Sequence, residues 1–299
     1  MSVVVRRVGA EAAGDVLAVV RAAFGARPAL DPPADALGED LDSLARLLGI
    51  RGGLLATIDG APVGCAVLDP RSDGIVLRRF GVVPAAQGQG VATSLVDAAR
   101  AAAVGRPALI VSAREELPAT IGFWQRHGFV ETSRTSPYVE LVLRLRTTIE
   151  VPDADAMREL GERVGRSLVA GDLVVLTGDL GAGKTTFTQG LGAGLQVRGA
   201  VTSPTFVIAR VHPSLVAGPD LVHVDAYRLG GLAELDDLDL DTSLDTAVTV
   251  VEWGAGLAEA LADARLEVVI ERAVGRSIAE GSDEEIDPRR VSLRWIVGQ

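Results

Sequence analysis

An apolar run, DLVVLTG at 172–178, passes directly into GDLGAGKT at 178–185 and then into a helix-patterned segment reaching about Leu195. A buried strand, a glycine-rich loop and a helix in that order predict an α/β unit built around an anion, because the loop matches the Gly-x4-Gly-Lys-Thr nucleotide-binding spacing in its required context. Gly178, Gly181 and Gly183 let the backbone curl so that its N–H groups face a phosphate, and the positive end of the following helix adds to the attraction. The candidate nucleotide contacts are therefore Asp179, Leu180, Gly181, Ala182, Gly183, Lys184, Thr185 and Thr186. Of the 29 basic residues only Lys184 is a lysine. A compact ammonium fits a narrow loop where a planar guanidinium does not, and the Thr185 hydroxyl suits a magnesium ion.

Three later segments narrow what such a loop does. TSPTF (202–206) offers small hydroxyl residues between the loop helix and the next strand, suited to sensing a γ-phosphate and reporting its loss. HVDAYR (223–228) ends an apolar strand with Asp225, and AVTVVEW (247–253) is a buried strand ending in Glu252 and Trp253. Carboxylates at strand ends beside a phosphate loop hold magnesium or its water shell, or orient an attacking water. Each segment alone has an ordinary explanation as a turn, a helix cap or core packing. Their order in one chain does not.

GDLGAGKTT, TSPTF, HVDAYR and VEW, taken in that order, resemble the TsaE (YjeE) family across about 147–299. The resemblance implies a P-loop ATPase that supports threonylcarbamoyl modification of the tRNA adenosine next to the anticodon. Its cofactors would be ATP and Mg2+, and its partners TsaB and TsaD type proteins, with tRNA reached only indirectly. It also implies Lys184, Asp225 and Glu252 as catalytic residues, with Thr185, Glu252 and Asp225 around the metal. One departure is Gly254, where the family often has proline after Glu-Trp. Charge agrees with an indirect role: residues 1–146 hold 16 Arg against 15 acids, whereas 147–299 hold 12 Arg and Lys184 against 25 acids. So acidic a unit lacks the basic surface that phosphate backbones need. Its acidic run at 234–245 reads as a solvated helix face or a surface for a basic partner.

The chain before residue 147 reads differently. Strand VVVRRV, a helix from Glu11 to Phe24 and another near Leu41–Leu48 precede two strands joined at Asp59-Gly60, a tight-turn pair. Strand 75–83 then enters PAAQGQGVA and a helix to about Ala103, placing Gln87, Gly88, Gln89, Gly90, Val91 and Ala92 at a helix N-terminus suited to a pyrophosphate. With ALIVSA (108–113), IGFWQRHGF (121–129) and the closing strand 139–146, this order resembles the GNAT superfamily of acetyl-CoA-dependent N-acetyltransferases. The resemblance implies acetyl-CoA as cofactor, main-chain contacts from Val82 and Val83, and an amine or protein N-terminus as acceptor. Phe123 is followed by Trp124 where many members have tyrosine, and an indole cannot supply a proton near neutral pH. Tyr138 lies in another segment, strand 75–83 carries Arg78 and Arg79 but no carboxylate, and Glu115 and Glu116 have no evident place.

The expected organisation is α/β with two domains: residues 1–147, a GNAT-like α+β acetyl-CoA-binding fold, and residues 148–299, a P-loop NTPase-like α/β fold. A single cysteine, Cys65, fits a reducing cytoplasm, no apolar run reaches the length of a membrane span, and nothing at the start reads as a signal peptide. Two alternatives stay open: a P-loop small-molecule kinase, and a TsaE-type ATPase whose GNAT domain senses acyl-CoA without catalysis.

Overall fold

A computed structural model describes residues 2–204, 207–228, 234, 244–254, 256, 261–262, 264–272 and 288–296. The acidic run 234–245 and the segment 280–288 fall largely outside these residues, as do Thr205 and Phe206 of the TSPTF segment. The chain divides into two compact units, residues 1–103 with 107–145, and residues 104–106 with 146–299.

The first unit runs β1 (Val3–Val8), α1 (Ala13–Gly25), α2 (Leu41–Arg51), β2 (Gly53–Ile58), β3 (Ala61–Arg71), β4 (Gly74–Val82), α3 (Val91–Ala102), β5 (Ala108–Arg114), α4 (Pro118–Arg126), β6 (Val130–Thr135) and β7 (Tyr138–Arg144). The strands form one sheet in the order β1-β2-β3-β4-β5-β7-β6. Asp59 and Gly60 both take positive φ, 50° and 83°, as the turn between β2 and β3 demands. Two cores sandwich this sheet. Val91, Leu95 and Val96 of α3 and Trp124 of α4 pack on Leu68, Leu77 and Leu109, whereas Val16, Val20, Leu44 and Leu48 of α1 and α2 pack on Leu55, Cys65 and Val67 of the other face.

One irregularity positions everything that follows. β4 and β5 are parallel but pair only at Ile75↔Leu109 and Val76↔Ile110. Beyond those pairs the strands part. On its other edge β4 carries one residue more than β3 between the pairs Cys65↔Gly81 and Val67↔Arg78, and Arg79 there has a φ of 51°. Such a bulge bends the strand. The Cys65 thiol, pushed up to about 12 by burial, donates to the Arg79 carbonyl at 3.3 Å and braces the bend.

The second unit adds β8 (Thr148–Val151), α5 (Ala154–Gly165), β9 (Leu173–Thr177), α6 (Lys184–Leu195), β10 (Ala209–His212), β11 (Asp220–Asp225), β12 (Ala247–Glu252), β13 (Arg265–Arg272) and β14 (Arg289–Ile296). Its sheet order is β10-β11-β12-β9-β13-β14-β8, parallel through β11, β12, β9 and β13 and antiparallel at both edges. Asp153 caps α5 by accepting from the Ala156 N–H at 2.8 Å, which stabilises the helix start.

Helices α5 and α6 approach so closely that glycines face backbone. A methyl group on Gly161 would lie 2.2 Å from the Phe187 carbonyl, one on Gly190 2.0 Å from that of Arg158, and one on Gly194 2.3 Å from that of Glu162. Backbone cannot yield as a flexible side chain can, so this contact fixes α6 and the loop in front of it. Gly190→Ala is expected to destabilise the second unit by about 3 kcal/mol, measured as a lower urea midpoint; an unchanged midpoint would disprove the close crossing.

Candidate functional site

The parallel register brings the second unit's predicted residues to one level. Asp225 pairs with Glu252, and Glu252 pairs with Leu176, just before the phosphate loop. The three strands therefore end together over the start of α6. Gly178, Gly181 and Gly183 all take left-handed backbone, at φ 157°, 76° and 109°, and at Gly178 a side chain would also meet the Ile270 carbonyl at 2.5 Å. Within the loop, Leu180 is exposed and Ala182 buried, with Asp179 and Gly181 exposed and Thr186 half-buried. The Arg289 guanidinium donates to the Ala182 carbonyl at 3.2 Å and approaches the Gly181 carbonyl at 3.5 Å.

Lys184 begins α6 and is buried. Its ammonium donates to the carbonyls of Gly178 and Asp179 at 2.7 and 3.0 Å and lies 3.7 Å from the centre of the Trp253 ring. Burial pushes its pKa below the ordinary lysine value, opposed by the charges of Glu252, Asp225 and Asp179. Trp253 reaches this position from a left-handed backbone, φ 62°, with its N–H on the Leu176 carbonyl at 3.1 Å and its ring 5.2 Å from that of Tyr227. Left-handed backbone is costly for a bulky residue and recurs at functional sites.

Thr185 donates its hydroxyl to Glu252 Oε1 at 3.1 Å. Asp225 accepts from the Ser203 hydroxyl and the Tyr227 N–H, both at 3.1 Å, so the TSPTF segment is tied to the β11 carboxylate. Thr185 and Glu252 are thus brought into contact, Lys184 stands beside Thr185 at the start of α6, and Asp225 stands on the adjoining strand end. Two carboxylates and a hydroxyl form an oxygen donor set that suits magnesium, which keeps waters and phosphate oxygens for its remaining positions. Among the described residues no group of three His, Cys, Asp or Glu forms a closed metal cage.

His223 was missing from the expected set. It is fully buried, its Nε2 lies 2.9 Å from Glu252 Oε1, and its Nδ1 has no hydrogen-bond partner among the described residues. An acceptor-only carboxylate requires the proton on Nε2. The signal was present in the H-x-D spacing, since residues two apart on a strand share a face.

In the first unit, the parted β4 and β5 open a cleft of about 790 Å3. Gln87, Gly88, Gln89 and Gly90 are exposed at its rim, with Gly88 and Gly90 at φ 77° and 82°, and Gly90 leads into Val91 and Ala92 of α3. The two valines differ. Val82 lines the cleft, whereas the Val83 N–H is donated to the Val63 carbonyl at 2.9 Å and its carbonyl accepts from the Ala86 N–H at 3.0 Å, so both of its main-chain groups are engaged within the fold. Trp124 is a core residue, ringed by Phe80, Phe123 and Phe129 at 4.7 to 5.1 Å. Tyr138, distant in sequence, reaches the same cleft because β7 pairs Arg114↔Tyr138 and Ser112↔Glu140. Glu140, another residue absent from the expected set, also lines it and accepts from the Thr132 hydroxyl at 2.8 Å. Glu116 is paired to Arg114 and Glu115 to Ser136 and Arg134.

These features define a P-loop NTPase-like unit behind an acetyltransferase-type fold. Residues 151–278 match the family described as threonylcarbamoyl adenosine biosynthesis protein TsaE, and residues 51–131 match the acetyltransferase (GNAT) domain. A tRNA threonylcarbamoyladenosine biosynthesis protein TsaE of Streptomyces coelicolor is 68% identical over 125 residues, covering 42% of this chain and 84% of the relative. The Mycobacterium tuberculosis protein of the same name is 51% identical over 132 residues, covering 42% and 79%. Among solved structures, Bacillus subtilis YdiB aligns at 30% identity and TM-score 0.37, covering 50% of this chain and 85% of that one. The PaiA N-acetyltransferase of Thermoplasma acidophilum in complex with coenzyme A aligns at 13% identity and TM-score 0.42, covering 48% and 100%. The chain belongs to the TsaE family, and its TsaE domain is fused behind a GNAT domain.

His223→Leu is expected to lower the turnover of nucleoside triphosphate by about 10- to 100-fold while nucleotide affinity, read from Trp253 fluorescence, stays within about twofold. His223→Gln, which keeps a donor near Nε2, should restore most of the rate. Equal rates in wild type and the leucine variant would show that the contact is only structural.

Proposed function

We propose that the second unit hydrolyses ATP in support of threonylcarbamoyl modification of the tRNA adenosine next to the anticodon, working with TsaB and TsaD type partners that bind the tRNA. The observation that carries this reading is the convergence of Lys184, Thr185 and Glu252 at aligned strand ends. The loop N–H groups and Lys184 would hold the phosphates, and Thr185 with Glu252 and Asp225 would hold a magnesium ion that neutralises charge building on the transferred phosphoryl group. Glu252, kept in place by Thr185 and His223, orients the attacking water. Ser203 on Asp225 links that centre to the TSPTF loop, a route by which hydrolysis can move a partner-facing segment. An acidic surface suits this division of labour, since nucleic-acid contact is left to the partners. No helix among the described residues is long and apolar enough to cross a membrane.

For the first unit we propose acetyl transfer from acetyl-CoA to an amine. The loop 87–90 would receive the pyrophosphate, and the parted strands would lead the thioester to the bulge. The amine nitrogen forms the new C–N bond as the C–S bond breaks; Glu140 takes the proton leaving the nitrogen and Tyr138 supplies one to the CoA thiolate.

Lys184→Ala should abolish ATP hydrolysis, and Lys184→Arg should lower it by at least about a hundredfold despite the retained charge. Cells carrying only the Lys184→Ala protein should lose threonylcarbamoyladenosine from their tRNA; normal levels would overturn the proposal.

A further inference from the structure

Among the described residues five arginines line the cleft of the first unit, and four of them have a carboxylate partner. Arg71 and Arg78 both lie on Asp69, at 3.7 and 2.6 Å, Arg79 on Glu39 at 2.6 Å, and Arg114 on Glu116 at 2.6 Å. Arg27 differs. Its guanidinium donates one hydrogen bond, to the Phe80 carbonyl at 3.3 Å, and stacks over the Phe24 ring at 3.8 Å. Among the described residues it has no carboxylate partner. Arg27 is half-buried, and that burial pushes its pKa below the ordinary arginine value. An anion set against a half-buried guanidinium in a cleft offsets the cost of that partial burial.

The place of Arg27 says which ligand would pair with it. The loop at Gln87–Gly90 opens α3, and α3 packs on the sheet face that carries Leu68 and Leu77. Arg27 follows α1, which packs on the opposite face, against Cys65 and Val67. Both Gln87 and Arg27 line the one cleft, so the gap between β4 and β5 passes through the sheet, with the phosphate loop at one mouth and Arg27 at the other. A cofactor whose pyrophosphate sits on the loop brings its acyl end into the gap from the first side. The acceptor then enters from the second, where Arg27 is anchored to the Phe80 carbonyl beside the bulge. A planar guanidinium fixed in this way is shaped for a carboxylate or phosphate.

We infer that the acetyl acceptor is an amine that also carries an anionic group, bound by Arg27 at the α1 mouth of the cleft. The inference rests on the acetyl-transfer reading and adds the substrate class to it. Glu140 and Tyr138 lie on β7, across the gap from Arg27, so one ligand can place its anion on the guanidinium and its nitrogen toward the proton-carrying groups.

The test titrates the full chain, first with CoA and then, saturated with CoA, with product-like probes in matched pairs: N-acetyl-β-alanine against N-acetylpropanolamine, and N-acetylphosphoethanolamine against N-acetylethanolamine. At least one anionic probe should bind about tenfold or more tightly than its neutral partner, and which pair discriminates separates carboxylate from phosphate. Arg27→Gln should abolish the discrimination and leave CoA affinity unchanged. Arg27→Lys, which keeps the charge but loses the fork, should retain part of it. Equal binding within both pairs, no binding of any probe, or discrimination that survives in Arg27→Gln would overturn the inference while leaving acetyl-CoA binding standing. Failure of CoA itself to bind would remove the acetyl-transfer reading, and this inference with it.

Discussion

Glu252 is the point on which the second unit's chemistry turns, because its carboxylate accepts from Thr185 on the phosphate-loop helix and from His223 on the neighbouring strand. Both donors depend on backbone register. His223 stands two residues before Asp225, and Asp225 is level with Glu252; slipping β11 by one residue would turn His223 to the opposite face and strip the carboxylate of its buried partner. The apolar strand cores, fully buried at Val174, Leu221, Val248 and Val250, resist that slip far more strongly than one hydrogen bond could. Hydrophobic packing thus sets the register, and the register sets the polar geometry.

The same subordination of chemistry to packing governs the loop. Lys184 and Thr185 are placed by α6, and α6 is placed by glycines that let it touch the backbone of α5. Trp253 shows the reverse case, in which backbone cost is accepted for a contact. Its left-handed conformation carries the indole over the Lys184 ammonium, where cation and ring face attract. A proline at 254 would push the preceding residue toward extended backbone. Gly254 leaves the left-handed conformation open, so the departure from the usual Glu-Trp-Pro pattern is matched to the position of the ring.

What could be read from the chain alone follows from the range of the forces involved. The loop 178–185 is legible because glycine positions, the lysine and the flanking apolar run are local signals. Strand β6 was not, since its residues are all exposed and show no alternation; it exists because β7 offers it a hydrogen-bonding edge. Strand β13, with Leu266, Val268 and Ile270 buried at every second position, shows the alternation of a half-buried strand. The H-x-D spacing puts His223 on the face of Asp225, but its bond to Glu252, like the cleft positions of Glu140 and Tyr138, depends on cross-strand neighbours that no local pattern supplies. Trp124, excluded as a proton donor by its chemistry alone, is packed among three phenylalanine rings at the wall of the cleft, a placement only the tertiary fold decides.

In the first unit the defect in the sheet is what makes a site possible. A fully paired β4 and β5 would close the sheet and separate its two faces, leaving the phosphate loop and Arg27 with no common space. Pairing that stops after Val76↔Ile110 forgoes hydrogen bonds along the rest of both strands, and exposed backbone groups of that kind are tolerated only where water or a ligand can satisfy them. An acyl-CoA arm with its amide groups is such a ligand. The charge on the far side follows the same rule. Asp69, itself buried, is met by Arg51, Arg71 and Arg78, so a nearby carboxylate is supplied with more cations than it needs, while Arg27 is given none. A fold that sets carboxylates against four cleft arginines and, among the described residues, none against Arg27 leaves that guanidinium beside the gap for an anion that arrives from outside.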